Sequence, residues 1–401
     1  MIQKIINILF KKRHFWRNVG FDELSELYTS EFLRSLAMSI IGIFVPIYLY
    51  KLGYSLTDIF GMQVIWAAIR PPLSYMAAKS VAIFGPKHTM VLASIVQIVY
   101  LATLMSMQSA QWPLALLAVL GSLSYTLFNI AIQVDFSKVK HTEHGGKELG
   151  FLTIFERFGA AVGPLVGGAI ATFVFPQATI FIAIVVMALS LVPLFLTAEP
   201  TRTNQFITLK GFPWKRHKHD FIAATFFGVE NVVSIVVWPL FISIVLFTSN
   251  TYAIVGLLTS VGTAMALLTF YLIGKLIDDK KGGLLLKVGV FVNSIMHILR
   301  IFVTTPIQAL LVSIVNEPVT ASYRMPFAKG LYDAADSVTG YRIVYITLFD
   351  SFRMFGLLIF WSVAFVTSLF IHDEKVLLQT LFVYGAISSL GILTQRFAAL
   401  R

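Results

Sequence analysis

The sequence has no cysteine, which excludes disulfides, thiolate metal sites and cysteine nucleophiles. It is also short of charge. Only 13% of its 401 residues are Asp, Glu, Lys or Arg, against about 25% in a soluble protein. Acids are the scarcer sign, 20 against 31 Lys and Arg, which gives a formal net charge of +11. The eight His show no ligand spacing such as His-Glu-x-x-His, and no Gly-x-x-x-x-Gly-Lys-Ser/Thr phosphate loop occurs. No metal, no cofactor and no catalytic constellation are therefore expected. What is abundant is apolar: 57% hydrophobic residues, 35 Phe, 14 Tyr and a mean hydropathy of +0.81. So much apolar surface cannot be hidden in one aqueous core of this size, and it equally excludes a disordered chain. A soluble globular enzyme is ruled out.

A helix needs about 20 apolar residues to cross the roughly 30 Å hydrocarbon layer. Twelve runs qualify, at 32–52, 56–78, 88–107, 113–135, 150–174, 177–197, 221–247, 253–277, 284–303, 305–327, 343–371 and 375–395. Unpaired backbone groups are costly in lipid, so these runs are expected to be helices. The basic residues test the count. Most fall in the N-terminal segment, after every even-numbered span and in the loop 198–220, while the other side holds only Lys51 and Lys375. This positive-inside bias places both termini and the 198–220 loop in the cytoplasm, in a cell membrane. It also accounts for the net charge as an orientation signal near anionic headgroups, so no nucleic-acid partner is expected. The opening Met1–Val19 alternates Ile2, Ile5, Ile6, Leu9 and Phe10 with Lys4, Lys11, Lys12 and Arg13. That pattern suits an interfacial helix better than a disordered tail or a signal peptide.

The second half echoes the first at a nearly constant offset. Ile-Ile-Gly-Ile-Phe-Val-Pro-Ile-Tyr-Leu around Pro46 returns as Val-Ser-Ile-Val-Val-Trp-Pro-Leu-Phe-Ile around Pro239, 193 residues later. Leu152-Thr-Ile-Phe-Glu156-Arg-Phe returns as Ile346-Thr-Leu-Phe-Asp350-Ser-Phe, 194 later. Six spans separate each pair, so both members start from the same membrane side, as in a parallel repeat. The expected organisation is an N-terminal segment 1–30, a six-helix bundle 31–197, a cytoplasmic loop 198–220 and a second six-helix bundle 221–401.

Over essentially all its length the chain resembles the major facilitator superfamily. Gly274-Lys-Leu-Ile-Asp278-Asp-Lys-Lys is similar to the family's Gly-x-x-x-Asp-basic loop signature, in which glycine permits close helix approach and the acid latches a neighbouring helix end. After span 2, Gly85-Pro86-Lys87 survives, but Ala78 and Ala82 stand where the glycine and acid would be. Span 5 carries Gly150-x8-Gly159-x3-Gly163-Pro164-x2-Gly167-Gly168, similar at every position to a motif of proton-coupled drug antiporters. Small residues so spaced allow close helix packing, and Pro164 is expected to add a kink. Span 4 lacks the Arg, and the centre of span 1 the acid, that such exporters carry. The resemblance implies an all-α integral membrane protein whose twelve helices form two pseudo-symmetric six-helix bundles.

Charges inside spans are expensive and rare. Glu230 and Asn231 lie about ten residues into span 7, roughly 15 Å deep at 1.5 Å per residue. Asn316 and Glu317 sit at similar depth in span 10, with Arg324 two turns on. Span 11 pairs Asp350 with Arg353, span 5 holds Glu156 and Arg157, and Arg70 precedes Pro71-Pro72, which should kink span 2. Two readings stand for these groups: ion pairs that hold the bundle together, or contacts to cargo and protons. Glu230 has no cation on its own helix, which raises the second to an even footing with the first for it. Glu31, Arg34 and Asp135 sit near span ends, where snorkelling suffices. His297 and Arg300 are expected at the interface. Trp66, Tyr125, Phe128, Trp238 and Tyr323 either line a cavity or simply pack.

The expected function is secondary transport of a small molecule by a monomer through alternating access, proton-coupled, with export of amphipathic compounds placed ahead of solute uptake. Glu230, Asn231, Glu317, Glu156, Asp350 and Arg70 are the candidate cargo or proton contacts. A membrane receptor or scaffold with the same fold, docking a partner at the 198–220 loop, is the alternative from another class.

Overall fold

In the computed structural model, residues 23–139, 145–196, 209–247, 249–277, 281–338 and 341–400 are described. The interfacial segment expected at Met1–Val19, Asp278 and the first part of the 198–220 loop lie outside them. Helical segments occupy all twelve expected positions. They are α1 (Glu23–Ile41, continued to Lys51), α2 (Leu56–Ala68 and Arg70–Phe84), α3 (Pro86–Met105), α4 (Leu114–Val139), α5 (Gly145–Phe173) and α6 (Pro176–Leu189). After the basic loop come α7 (Trp214–Val232, continued to Leu246), α8 (Thr251–Leu276), α9 (Gly282–Ile301), α10 (Pro306–Asp336), α11 (Arg342–Phe370) and α12 (Glu374–Gly391). Among the described residues, ten helices are long and apolar enough to cross a membrane, and Leu56–Ala68 is a shorter apolar helix. The helix of α1 already begins at Glu23, inside the stretch expected to be a separate N-terminal segment.

Local sequence explains the breaks. α2 is interrupted at Ile69 and restarts at Arg70, with Pro71 and Pro72 in its first turn. Prolines lack the N–H that a helix interior needs but not the one its first turn leaves unused. Gly85 turns the chain into α3 at φ 91° with Pro86 following, a conformation that strains any residue with a Cβ. Around Pro239, α7 widens into π-type turns at Val233–Val237 and Ile242–Leu246. Ser55 with Asp58 and Thr305 with Gln308 form reciprocal caps at the starts of α2 and α10, satisfying donors that a helix start leaves open.

The glycines of α5 show how the helices meet. A Cβ at Gly159, Gly163 or Gly167 would collide with the backbone of α1 between Phe32 and Ile40. One at Gly168 would strike Tyr252 of α8, and one at Gly256 of α8 would strike the Pro164 carbonyl. One face of α5 thus packs within its own half and the adjacent face packs on the other half. Gly150 lies in the first part of α5 and Gly274 near the end of α8.

The apolar core is divided unevenly. At the end away from the basic loops, one cluster joins residues of both halves, including Phe44, Ile47, Phe60, Phe241, Tyr252, Phe360 and Trp361. Phe60 packs on Trp361 and Phe44 on Tyr252 across the junction, and Tyr50 of α1 donates to Glu374 of α12 at 2.6 Å. At the basic-loop end the cores are separate. Leu27, Ala77, Met90 and Phe128 belong to a cluster of the first half, and Phe221, Tyr323, Tyr345 and Phe397 to one of the second. The molecule is sealed at one end, and its halves part toward the other.

Candidate functional site

The intramembrane charges gather where the shared core gives way to the separate ones. Arg70, carried in by the restart of α2, is buried. Its guanidinium lies over Trp66 (4.7 Å) and Tyr125 (4.3 Å), donates to the Met354 sulfur and reaches Asp350 of α11 at 3.8 Å. Asp350 also binds Arg353, one turn on, at 2.5 Å. One carboxylate thus serves two guanidiniums, one from each half. Among the described residues, Arg70–Asp350 is the ion pair that crosses the junction. Asp350 and Arg353 are each about a quarter exposed, 25% and 27%, so they border the space between the parted halves.

The second cluster lies within the second half. Glu230 is fully buried and accepts from Arg324 of α10 at 3.2 Å. Ser234 donates to its other oxygen at 3.2 Å, and the His297 ring of α9 stands 3.8 Å from that oxygen. Arg300 donates to Ser234 (3.3 Å), lies 3.0 Å from His297 Nδ1 and stands over Trp238 at 5.1 Å. Tyr323 closes the cluster beside Glu230 and Arg324. The cation that Glu230 lacks on its own helix is supplied by α10, because a large desolvation cost requires a nearby opposite charge. Arg324 turns to Glu230 rather than to Glu317. Glu317 is half-buried, accepts from Asn316 at 3.4 Å and rests its stem where Gly262 of α8 leaves room. Asn231 is half-buried next to Glu230.

Several expectations need correction. His297 and Arg300 are not interfacial; both are fully buried, because their face of α9 turns inward onto α7 and α12. Asn293, His297 and Arg300 share that face, and Asn293 donates to Ser389 at 2.7 Å. The polar spacing of three and four residues was the available signal. Arg34 and Asp135 are buried rather than snorkelling. Arg34 donates to Ser94 and Ser124 and lies 3.8 Å from the Phe128 ring centre. Glu156 is half-buried and, among the described residues, forms no ion pair with Arg157. Lys87, counted as a loop charge, is buried with Glu26 at 3.2 Å. Glu26 and Asp220 stand 194 apart, the repeat offset. Asp220 accepts from Tyr345 and from the Arg396 backbone, so each half ties its first helix by a buried acid.

The sequence model of the Major Facilitator Superfamily matches residues 27–323. The chain belongs to this superfamily. Compared by sequence with curated proteins, it matches none. Solved structures of this superfamily member's fold include a mutant of the nucleoside transporter NupG, 13% identical, with a TM-score of 0.73 over 92% of this chain and 98% of the other. A POT family transporter in complex with a thioalcohol-conjugated peptide gives 11% identity and a TM-score of 0.75 over 92% and 95%. A D-xylose–proton symporter gives 12% and 0.69 over 93% and 97%. At these identities the likeness establishes the major facilitator fold and no cargo.

Proposed function

We propose that the chain is a secondary transporter that carries a small molecule by alternating access. The observation that carries this reading is the uneven core: one apolar seal shared by both halves at one end, and separate cores at the other. Such an arrangement changes sides by rocking one half against the other about a central site. The structural neighbours named for nucleoside, peptide and xylose transport support transport in general. In this reading the chain acts as a monomer in the cell membrane, with both termini and the 198–220 loop in the cytoplasm, and the parted end faces the cytoplasm.

Arg70, Asp350 and Arg353 are proposed as the coupling contact. The Arg70–Asp350 pair crosses the junction, so cargo or a proton that takes Asp350 away from Arg70 loosens one tie between the halves. Glu230 and Glu317, with Asn231 beside Glu230, and Glu156 against α1 in the first half are proposed as further cargo or proton contacts. The glycines of α5 fit the antiporter motif, yet their contacts are those of helix packing, which serves either direction of transport. Proton-coupled export of amphipathic compounds therefore rests on the motif, and uptake by symport or uniport is its rival.

The test is flux in proteoliposomes of fixed orientation, over a library spanning nucleosides, peptides, sugars and amphipathic cations, with and without an imposed pH gradient. Substrate-dependent flux sensitive to Asp350→Asn supports the reading, and its pH dependence and direction separate export from uptake. No flux and no ligand-induced stabilisation, with a partner co-purifying on the 198–220 loop, would replace it with a receptor or scaffold.

A further inference from the structure

The sealed end holds a cavity of about 500 Å³ between the two halves. Tyr48 and Lys51 at the end of α1, Gln108 after α3 and Gln177 at the start of α6 line it from one half. Asn250 and Tyr252 at the start of α8 line it from the other. Two observations set this cavity apart. Tyr48 and Tyr252 are both more than nine-tenths buried; among the described residues the Tyr252 hydroxyl has no hydrogen-bond partner, while the Tyr48 hydroxyl faces the Gln177 side chain of the same lining. Buried hydroxyls are normally satisfied, and an orphaned one is destabilising until a partner arrives. The second observation concerns Lys51. Its ammonium lies 4.5 Å from the Tyr252 ring centre, and no carboxylate of the described residues forms an ion pair with it. The positive-inside pattern leaves this face almost free of basic residues, so topology gives no reason for a cation here.

We propose that this cavity binds a small oxyanion, a carboxylate or a phosphate, and that its occupancy holds the sealed end shut. Ammonium, phenol and amide groups are all donors that one oxyanion can satisfy together, and donors to a charged acceptor make the stronger hydrogen bonds. The cavity lining contributes no carboxylate to repel it. A neutral ligand would fill the space but leave Lys51 without an anion. Because Tyr252 and Asn250 belong to one half and Tyr48 and Lys51 to the other, parting the halves at this end takes the site apart. A ligand that binds only the sealed state shifts the equilibrium toward it. The site itself rests on geometry alone, whereas its effect on a transport cycle rests on the alternating-access reading above.

The absence of native cysteine permits a direct test. In the full chain, Leu52→Cys places one thiol at the cavity wall, and its rate of labelling by a small thiol reagent is read in phosphatidylcholine nanodiscs. Inorganic phosphate is expected to slow labelling, while chloride at matched ionic strength is not. Adding Lys51→Met should raise the half-protecting phosphate concentration about tenfold and adding Tyr252→Phe about threefold, the range expected for losing a charged and a neutral hydrogen bond. No protection, equal protection by chloride, or indifference to both substitutions overturns the site. Protection in phosphatidylglycerol nanodiscs without added phosphate makes the lipid headgroup the source of the same anion. For the coupling, Tyr50→Cys and Glu374→Cys joined by a short bismaleimide hold the sealed end closed. Radiolabelled phosphate should bind this protein at least as tightly as the uncrosslinked one. Loss of binding on crosslinking overturns the link to the sealed state, whatever the flux assay says of transport.

Discussion

Glu230 illustrates what a buried carboxylate demands of its surroundings. Its oxygens are bound by Arg324 and Ser234, with His297 close by, so removing the acid strands a guanidinium. Glu230→Ala is expected to cost about 3–5 kcal/mol, the usual penalty for breaking a buried pair from one side. Glu230→Gln keeps an acceptor for Ser234 and should cost less. Thermal unfolding of the purified protein in detergent measures both, and equal losses would mean that charge is not what Arg324 requires. The Arg70–Asp350 contact makes a different prediction. Its double-mutant cycle, Arg70→Met with Asp350→Asn, should show a coupling of about 0.5–3 kcal/mol, because each single change leaves the other group without its partner across the junction. Additive losses would show that Arg353 alone satisfies Asp350.

At the scale of elements, α5 is the helix whose composition most tightly constrains its neighbours. Gly167 stands against the Ile40 backbone, where a side chain has no flexible atom to push aside. Gly167→Val should therefore force α1 and α5 apart and destabilise by about 1–3 kcal/mol, as overpacking does. Gly42 is the control: a Cβ there would meet nothing within 4 Å. Gly42→Ala should be neutral or mildly stabilising, since alanine has less unfolded-state freedom to lose. Unfolding midpoints of the two variants decide the matter, and similar midpoints would remove close packing as the reason for the glycine.

For the whole molecule, the relevant quantity is the balance between the sealed and parted ends. The shared core and the Thr172 hydroxyl, which accepts from the Ala253 backbone at 2.9 Å, hold the two halves together at one end. Thr172→Cys with Ala253→Cys joins two positions that already meet through this hydrogen bond, and the disulfide expected between them should fix this end. Transport by the oxidised protein should fall to background and return on reduction. Full flux with the disulfide intact would mean that this end does not open during turnover.

Positions of helices were legible in the sequence, because crossing lipid imposes a length and an apolar composition that few other segments share. Prolines and glycines marked breaks such as Ile69–Pro72 and the turn at Gly85 for equally local reasons. The candidate acids were also legible, since a charge inside a span stands out against an apolar background. Their partners were not. Glu230 meets Arg324 and His297 from helices far along the chain, and Arg300 is buried because of how α9 is rotated, which its distance from a span end does not encode. Glu26 and Asp220 obeyed the repeat offset but looked like ordinary charges at the start of a helix. By itself, then, the sequence determined the membrane environment, the helical spans, the internal repeat and the identity of the costly charges. Only the tertiary structure decided which charges neutralise one another, which end of the molecule is sealed, and where two tyrosines and a lysine line a cavity between the halves. Those outcomes depend on helix rotation and on contact between the halves, and both are set by packing between residues distant in the chain.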